Sequence, residues 1–284
     1  MKPYFASPVI KKFSQITGAK LLMNSEQKHG GGLFLFPDGR RQFFLLTQTG
    51  FLNPMGSAGA VRYRSCGSFL IGHFGYQSAE GRVFPFHETH NASGAPPRTQ
   101  EEVLDEARIY AAQLGWPVVL KTNRSRGSAF RTTRIARADD EFRIGCDEIF
   151  ELEDNLFVQR FYQGNSYYCV VVDDRIGFAY QQPSLSASNL FPLSDVTDSV
   201  HPDISQLCVA VCRDLRLRVG GVRLITDDIS RPLARYVILQ VDRSPNFEAF
   251  SGIGALQQEL AEALLLELLI KESQSSMGVT ASSH

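Results

Sequence analysis

The sequence is poor in several features that would each narrow the function at once. It has no excess of charge: 29 Lys and Arg stand against 30 Asp and Glu, well mixed, for a net charge of −1 over 284 residues. That excludes the reading as a nucleic-acid or membrane-surface protein, which usually carries a basic face visible in its totals. Small anions, nucleotides included, stay open because they need only a local basic pocket. Long apolar runs are missing too; the longest, ALLLELLI, is interrupted by Glu267, so no membrane span is expected. The first 25 residues lack the continuous apolar core of a signal peptide, and the five cysteines (Cys66, Cys146, Cys169, Cys208, Cys212) are odd in number and scattered. A disulfide framework is therefore not expected, and the cytoplasm is. Four of these thiols fall in apolar-periodic segments, where cysteine behaves as a small hydrophobe. Cys208 and Cys212 stand one helical turn apart without the further ligands a metal needs. Internal repeats are also absent.

What remains is 43% hydrophobic and 21% charged residues, ordinary for a soluble globular enzyme. The length suits one large domain or two to three small subdomains sharing a cleft. In GGGLFLFPDGRRQFFLLT, two apolar runs flank Pro37-Asp38-Gly39-Arg40 and predict a β-hairpin. The glycines at 30 to 32 read as a plain turn, since a phosphate cradle also needs a following Lys-Ser/Thr and a helix. HETHNASGAPPR, 87 to 98, reads as a linker, and its His87 and His90 have no acid or cysteine cluster beside them. Thr99 followed by Glu102 is a capping box opening a helix whose stripe is Val103, Ala107, Tyr110, Ala111 and Leu114, with Gly115 as its stop. WPVVLK and AFRTTRIA read as strands around a polar loop, and Asp139 or Asp140 as the cap of a helix through about Leu152. NLFVQRF is a strand, and YYCVVVDDRIGFAY is a hairpin turning at Asp173-Asp174-Arg175. HPDISQLCVAVCRDLRL reads as a helix, GVRLIT and YVILQVD as strands, and 255 to 271 as a last amphipathic helix. The final SQSSMGVTASSH is expected to be disordered.

Two stretches carry chemistry. In VILQVD a period of two puts Ile238, Gln240 and Asp242 on one side, so the strand ends in an amide and a carboxylate side by side. A pair of oxygens there suits a divalent cation, except that one is neutral. In VVLKTNRSRGSAF, Lys121 ends an apolar strand, and the next loop supplies Arg124, Ser125, Arg126, Gly127 and Ser128. Two cations, two hydroxyls and a flexible glycine make a recipe for gripping phosphate oxygens. A solvated basic hairpin loop is the alternative.

Taken together, FLNPMGSAGAVRYR, YAAQLGWPVVLKTNRSRGS, LFVQRFYQGNSYYCVVVDDRIGFAY, DVTDSVHP, RLRVGGVRLITDDISRP and YVILQVDRSPNFEAFSGIG occur in an order that resembles the ATP-grasp superfamily. The similarity is to the branch of cyanophycin synthetase, glutathione-synthetase-like proteins and related carboxylate–amine ligases, over most of residues 50 to 255. The resemblance implies an α+β and α/β architecture. An N-terminal α/β domain with its linker would span 1–97, a central lid subdomain 98–165 and a C-terminal subdomain 166–272, leaving 273–284 as the tail. ATP would lie between two antiparallel sheets. On the matching positions, Arg64 stands for the first nucleotide lysine and Lys121 for the second. Residues 124 to 128 stand for the glycine-rich lid, with one glycine only. Gln159, Arg160, Phe161 and Tyr162 stand for the hinge whose backbone reads adenine. The ribose-holding acid falls near Asn165 or Ser166, neither of them acidic, and Tyr168 takes the place of an arginine that reads the acyl phosphate.

The three magnesium-holding positions of the family, an Asp, a Glu and an Asn, match Arg223, Gln240 and Asp242. An amide weakens a hard-cation site and a guanidinium repels it. The resemblance thus calls for ATP and magnesium, while the residues serve magnesium poorly; Asp227 and Asp228 lie nearby without a match. Between FAYQQP and DVTDSVHP the family's long insertion is reduced to SLSASNLFPLS, from which a cleft open on one side is expected. Three readings follow. One is an ATP-dependent carboxylate–amine ligase working through an acyl phosphate, with Arg223 partly standing in for a metal. Another is a catalytically degenerate homologue that binds a nucleotide or serves a partner. The last is a structural protein whose polar strand ends are solvated edges. Expected partners are a nucleotide and small carboxylate and amine substrates, with a homodimer or a pathway protein left open.

Overall fold

The run YYCVVV is apolar on both of its faces, and a strand of that kind needs a covering layer on each side. In the computed structural model, which describes residues 6–23, 31–45, 49–86, 98–124, 133–182 and 193–278, this run is the middle strand of the largest sheet. That sheet has the order β10-β9-β8-β11-β12. Its members are β8 (Asn165–Val172), β9 (Arg175–Gln182), β10 (Ser194–Asp195), β11 (Val219–Thr226) and β12 (Tyr236–Asp242). One face of β8 sends Tyr168, Val170 and Val172 into a core with Phe178 and Phe250 and with Leu264, Leu265 and Leu268 of the last helix, α8 (Ala255–Gly278). The other sends Tyr167, Cys169 and Val171 against Ile204, Cys208, Val211 and Cys212 of α6 (Pro202–Asp214). The two cysteines of α6 are therefore packing groups, and all five cysteines are free thiols.

A second sheet, of order β4-β7-β5-β6, contains β4 (Gly81–Pro85), β5 (Val118–Thr122), β6 (Thr133–Ala136) and β7 (Asn155–Arg160). Helices α4 (Gln100–Leu114) and α5 (Asp139–Phe150) cover it through Val103, Ala107, Phe142 and Ile149. β4, from the stretch expected in the first domain, is hydrogen-bonded to β7 in this sheet. The third sheet, β1 (Lys20–Met23), β2 (Gly31–Leu35) and β3 (Arg41–Leu45), packs with α1 (Ala6–Thr17) through Phe13, Phe34 and Phe44, in the same core as α8. Every strand pairing within these sheets is antiparallel. Two short helices, α2 (Met55–Ala60) and α3 (Arg64–His73), lead to the segment before β4, and α7 (Phe247–Ser251) precedes α8.

Several local expectations stand. The hairpin at Pro37 to Arg40 joins β2 to β3, with Gly39 at φ 85°. The Thr99–Glu102 capping box is formed in both directions, and Gly115 follows α4 at φ 81°. Asp173 makes the β8–β9 turn at φ 54° and holds Arg218 and Lys271 on its carboxylate at 3.2 and 3.0 Å. Three expectations are corrected. Gly31 and Gly32 are strand residues, paired with Leu45 and Phe44 of β3, and the pairing is close: a Cβ on Gly32 would lie 2.2 Å from the Phe44 ring. The N-cap of α5 is Ala138; Asp139 and Asp140 sit in the first helical turn, where their charge favours the helix dipole. The last helix runs through Gly278, beyond the end at 271 expected from its pattern, while 279–284 lie outside the described residues. The linker at 87 to 97 and the join at 183 to 192 lie outside them too, and with that join the expectation of an open cleft. Among the described residues no helix is long and apolar enough to cross a membrane.

Candidate functional site

The two larger sheets meet along a cleft, and Arg64, Lys121, Gln159, Tyr168, Arg223, Gln240 and Asp242 are brought together there. Tyr168, Arg223 and Gln240 stand directly opposite one another on β8, β11 and β12, forming one cross-strand row. Asp242 follows two residues beyond Gln240, opposite Gly221. The register slips between Arg223 and Leu224, leaving Leu239 as an extra residue on β12. Ile238 and Val241, three apart, consequently both reach the α6 core. This bulge corrects the strict alternation that had Ile238 beside Gln240 and Asp242. Those two polar groups do share a face, for the amide nitrogen of Gln240 donates to Asp242 Oδ1.

Gly221 makes the rest possible. A Cβ there would fall 2.1 Å from the Tyr168 hydroxyl, so only a bare backbone lets that side chain lie across β11. The hydroxyl then donates to Asp242 Oδ2 at 3.1 Å. Burial, and Asp242 after it, hold the Tyr168 phenol well above the usual tyrosine range. Over the same ring lies the guanidinium of Arg223, its carbon 5.7 Å from the centroid. The Arg223 Nε is buried and has no hydrogen-bond partner among the described residues.

From the second sheet comes Lys121, only 2% exposed, its ammonium donating to Gln159 Oε1 at 2.6 Å. Gln159 in turn donates to the Leu239 carbonyl at 3.3 Å, which ties the bulge to β7. Burial pushes the Lys121 ammonium well below the ordinary lysine value, with Arg64 and Arg223 adding to the shift and Asp242 opposing it.

Arg64, at the start of α3, bridges the two sheets. Its Nε donates to Gln240 Oε1 at 3.0 Å, and one terminal nitrogen donates to Thr122 Oγ1 at 3.1 Å, to the Arg124 carbonyl at 2.9 Å and to the Thr122 carbonyl. Burial, reinforced by Arg223 and countered by Asp242, brings Arg64 down to about 10. A fork with that many protein acceptors is a clamp between sheets, which differs from the open phosphate contact expected of it.

The remaining candidates divide. Arg124 stacks its guanidinium on Tyr63 at 5.7 Å, and its backbone N–H donates to both Glu153 carboxylate oxygens at 3.2 and 3.0 Å. Ser125, Arg126, Gly127 and Ser128 lie outside the described residues. Arg160 turns away from the cleft to Glu80 at 2.9 Å and to the Leu114 carbonyl at 2.8 Å. Tyr162 accepts from the Glu80 backbone at 3.1 Å, and Phe161 and Ser166 are half-buried at their strand ends. Asp227 and Asp228 sit at the far end of the β11–β12 hairpin, beyond the Thr226–Tyr236 pair, while Asp242 pairs at the other end. They cannot join it as ligands. Among the described residues no group of three or more His, Cys, Asp or Glu is placed to hold a metal. Sequence reasoning missed Thr122, Glu153 and the space at Gly221, none of which carries a local motif.

No protein-family model matches this sequence, and no curated protein matches it. Solved structures do. A bifunctional glutathione synthetase from Pasteurella multocida matches with a TM-score of 0.55 at 13% identity, over 93% of this chain and 44% of that one. The D-alanine-D-alanine ligase from Coxiella burnetii matches at 0.54 and 13%, over 88% and 77%. The ATP-grasp ligase PsnB, complexed with minimal precursor, Mg and ADP, matches at 0.51 and 15%, over 76% and 62%, so the chain spans about three fifths of that ligase's length. At such identities the likeness speaks for architecture alone: with its N-terminal part, two subdomains and cleft between antiparallel sheets, this chain shares the ATP-grasp fold of these structures.

Proposed function

We propose that the inter-sheet cleft binds an adenine nucleotide with its phosphates toward Lys121 and Arg223, and that it serves carboxylate–amine ligation. In that reaction ATP phosphorylates a carboxylate, and an amine displaces phosphate from the acyl phosphate to leave an amide. One observation carries the reading: Arg64 and Lys121, both buried at one cleft, are each pushed down in pKa by burial and by Arg223 and held up by Asp242, with Glu153 also acting on Arg64. An excess of positive charge in a half-dry cleft is costly until an anion joins it, and phosphate oxygens are acceptors only. Phosphoryl transfer rests chiefly on positioning and charge neutralisation, which Lys121 and Arg223 can supply. Arg64 keeps the sheets at a set spacing; the backbone of Gln159 and Arg160 is taken up by β4, β5 and Glu80, so the base would be read along Phe161 and Tyr162, just past the end of β7. The ligase chemistry is an inference from the fold, since the same fold can host different functions.

Magnesium fits these residues poorly. It prefers six hard oxygens, usually with one or two carboxylates among them. Here both Asp242 oxygens accept hydrogen bonds and the Gln240 oxygen accepts from Arg64. No step is assigned to a metal. The same contacts favour a second reading, a nucleotide-binding protein that assists a partner without turnover. Thermal melting with ATP and ADP tests binding: a rise in Tm that Lys121→Ala abolishes is expected, and the absence of any shift or binding heat at millimolar nucleotide removes the proposal. Phosphate release in the presence of carboxylates and amines separates ligase from binder.

A further inference from the structure

We infer that the cleft takes its polyphosphate without a divalent cation, Arg223 supplying from within the protein the positive charge that a metal would bring. This rests on the nucleotide reading above and goes beyond it in naming the form of the ligand, metal-free polyphosphate.

The first ground is position. Arg223 is the middle member of the cross-strand row, with Tyr168 on one side and Gln240 on the other, so its guanidinium rises from the cleft floor beside Asp242. Its body is held by the Tyr168 ring at 5.7 Å, and its buried Nε has no acceptor among the described residues. A buried donor without a partner is costly, and an incoming phosphate oxygen relieves that cost. The second ground is saturation. Gln240 is fixed at both ends, its oxygen by Arg64 and its nitrogen by Asp242. Asp242 accepts on Oδ1 from that amide and on Oδ2 from Tyr168. A cation entering here would have to displace donors from both Gln240 and Asp242 while facing three cationic side chains. The third ground is balance. Arg64, Lys121 and Arg223 stand against the carboxylates of Asp242 and Glu153, which leaves roughly one positive charge to be met; a metal-free polyphosphate meets it, and a magnesium complex, with part of its charge already neutralised, meets it less well.

The test is titration calorimetry of the full chain with ADP and, separately, with inorganic pyrophosphate, each in EDTA and in excess magnesium. ADP is expected to bind in EDTA with an affinity within about threefold of that in magnesium, and pyrophosphate to bind in EDTA as well. Arg223→Gln should weaken both ligands by about tenfold or more in EDTA, the size of a lost charge-assisted contact. Arg223→Lys, which keeps the charge and loses the fork, should recover part of that loss. The pair Arg223→Asp with Gln240→Glu puts three carboxylates on one face and should make binding magnesium-dependent. Melting curves of each variant confirm that it is folded, and Arg223→Lys carries the comparison if Arg223→Gln is not. Tightening of ADP by about tenfold or more with magnesium in the unmodified protein overturns the inference and leaves the nucleotide reading intact. So does ADP binding with no pyrophosphate binding, since Arg223 then does not hold the phosphates. Failure of ADP under both conditions overturns the nucleotide reading itself.

Discussion

Lys121 shows how far a single residue's surroundings depart from its type. Its ammonium is buried, has one neutral acceptor, and faces two guanidinium groups and one carboxylate. In the unfolded chain it has the ordinary lysine value of about 10.4. Between its depressed folded value and that one, the unfolded state binds more protons, so stability rises with pH through this window. The cost is fully present below the folded value and is gone above the unfolded one. Urea denaturation from pH 6 to 9.5 should show this rise in the unmodified protein and a flatter profile in Lys121→Met, while equal slopes would place the ammonium in water. In the same cleft, Lys121→Ala should cost nucleotide about 1.5–3 kcal/mol of binding, the worth of a charged hydrogen bond, read by calorimetry.

At the scale of elements, local chemistry and long-range packing divide the work. The capping box of α4 is wholly local: Glu102 N–H donates to Thr99 Oγ1 at 3.2 Å and Thr99 N–H to Glu102 Oε2 at 2.8 Å. Thr99→Ala should destabilise by about 1 kcal/mol in chemical denaturation with an unchanged slope. α5 follows a different rule. Ala138 gives it no side-chain cap, and Glu141 accepts from the Arg137 N–H at 2.8 Å in compensation, so the pattern of acids located the helix but placed the cap one or two residues late. β12 is where alternation fails. Its apolar residues outnumber what one face can take, and the extra residue at Leu239 sends Ile238 and Val241 to the same core while freeing a carbonyl for Gln159.

Over the whole molecule, the buried polar side chains of Asn53 and Arg64 join segments far apart in the chain. Asn53 donates to the Val219 and Arg243 carbonyls at 2.8 Å each and accepts from Val219 N–H at 2.9 Å, fastening the segment before α2 to the start of β11. Asn53→Ala removes three bonds and leaves buried backbone groups unpaired, so a loss of about 2–4 kcal/mol in urea denaturation is expected. Arg64 does the same between the two larger sheets, and Arg64→Lys, which cannot make the forked set of contacts, should lower Tm and weaken nucleotide binding together. A variant with normal melting and normal binding would show that the clamp is dispensable.

The sequence by itself determined the capping box and glycine stop of α4, the hairpins turning at Gly39 and Asp173, and the placing of an amide beside a carboxylate at the end of β12. These follow from groups within a turn or two of each other, whose interactions exist as soon as the local backbone forms. Through the resemblance of the whole chain to a family, it also matched Lys121 to a nucleotide lysine and Arg223, Gln240 and Asp242 to metal-holding positions. Only the tertiary structure decided what these residues do to one another. Arg64 meets Gln240 from 176 residues away and Tyr168 meets Asp242 from 74, through space that Gly221 leaves empty. Whether a guanidinium is an open phosphate contact or a clamp depends on which acceptors the packed sheets bring within 3 Å of it. That is set by strand order, a bulge and a missing Cβ, and none of these can be read from the arginine's own neighbours in sequence.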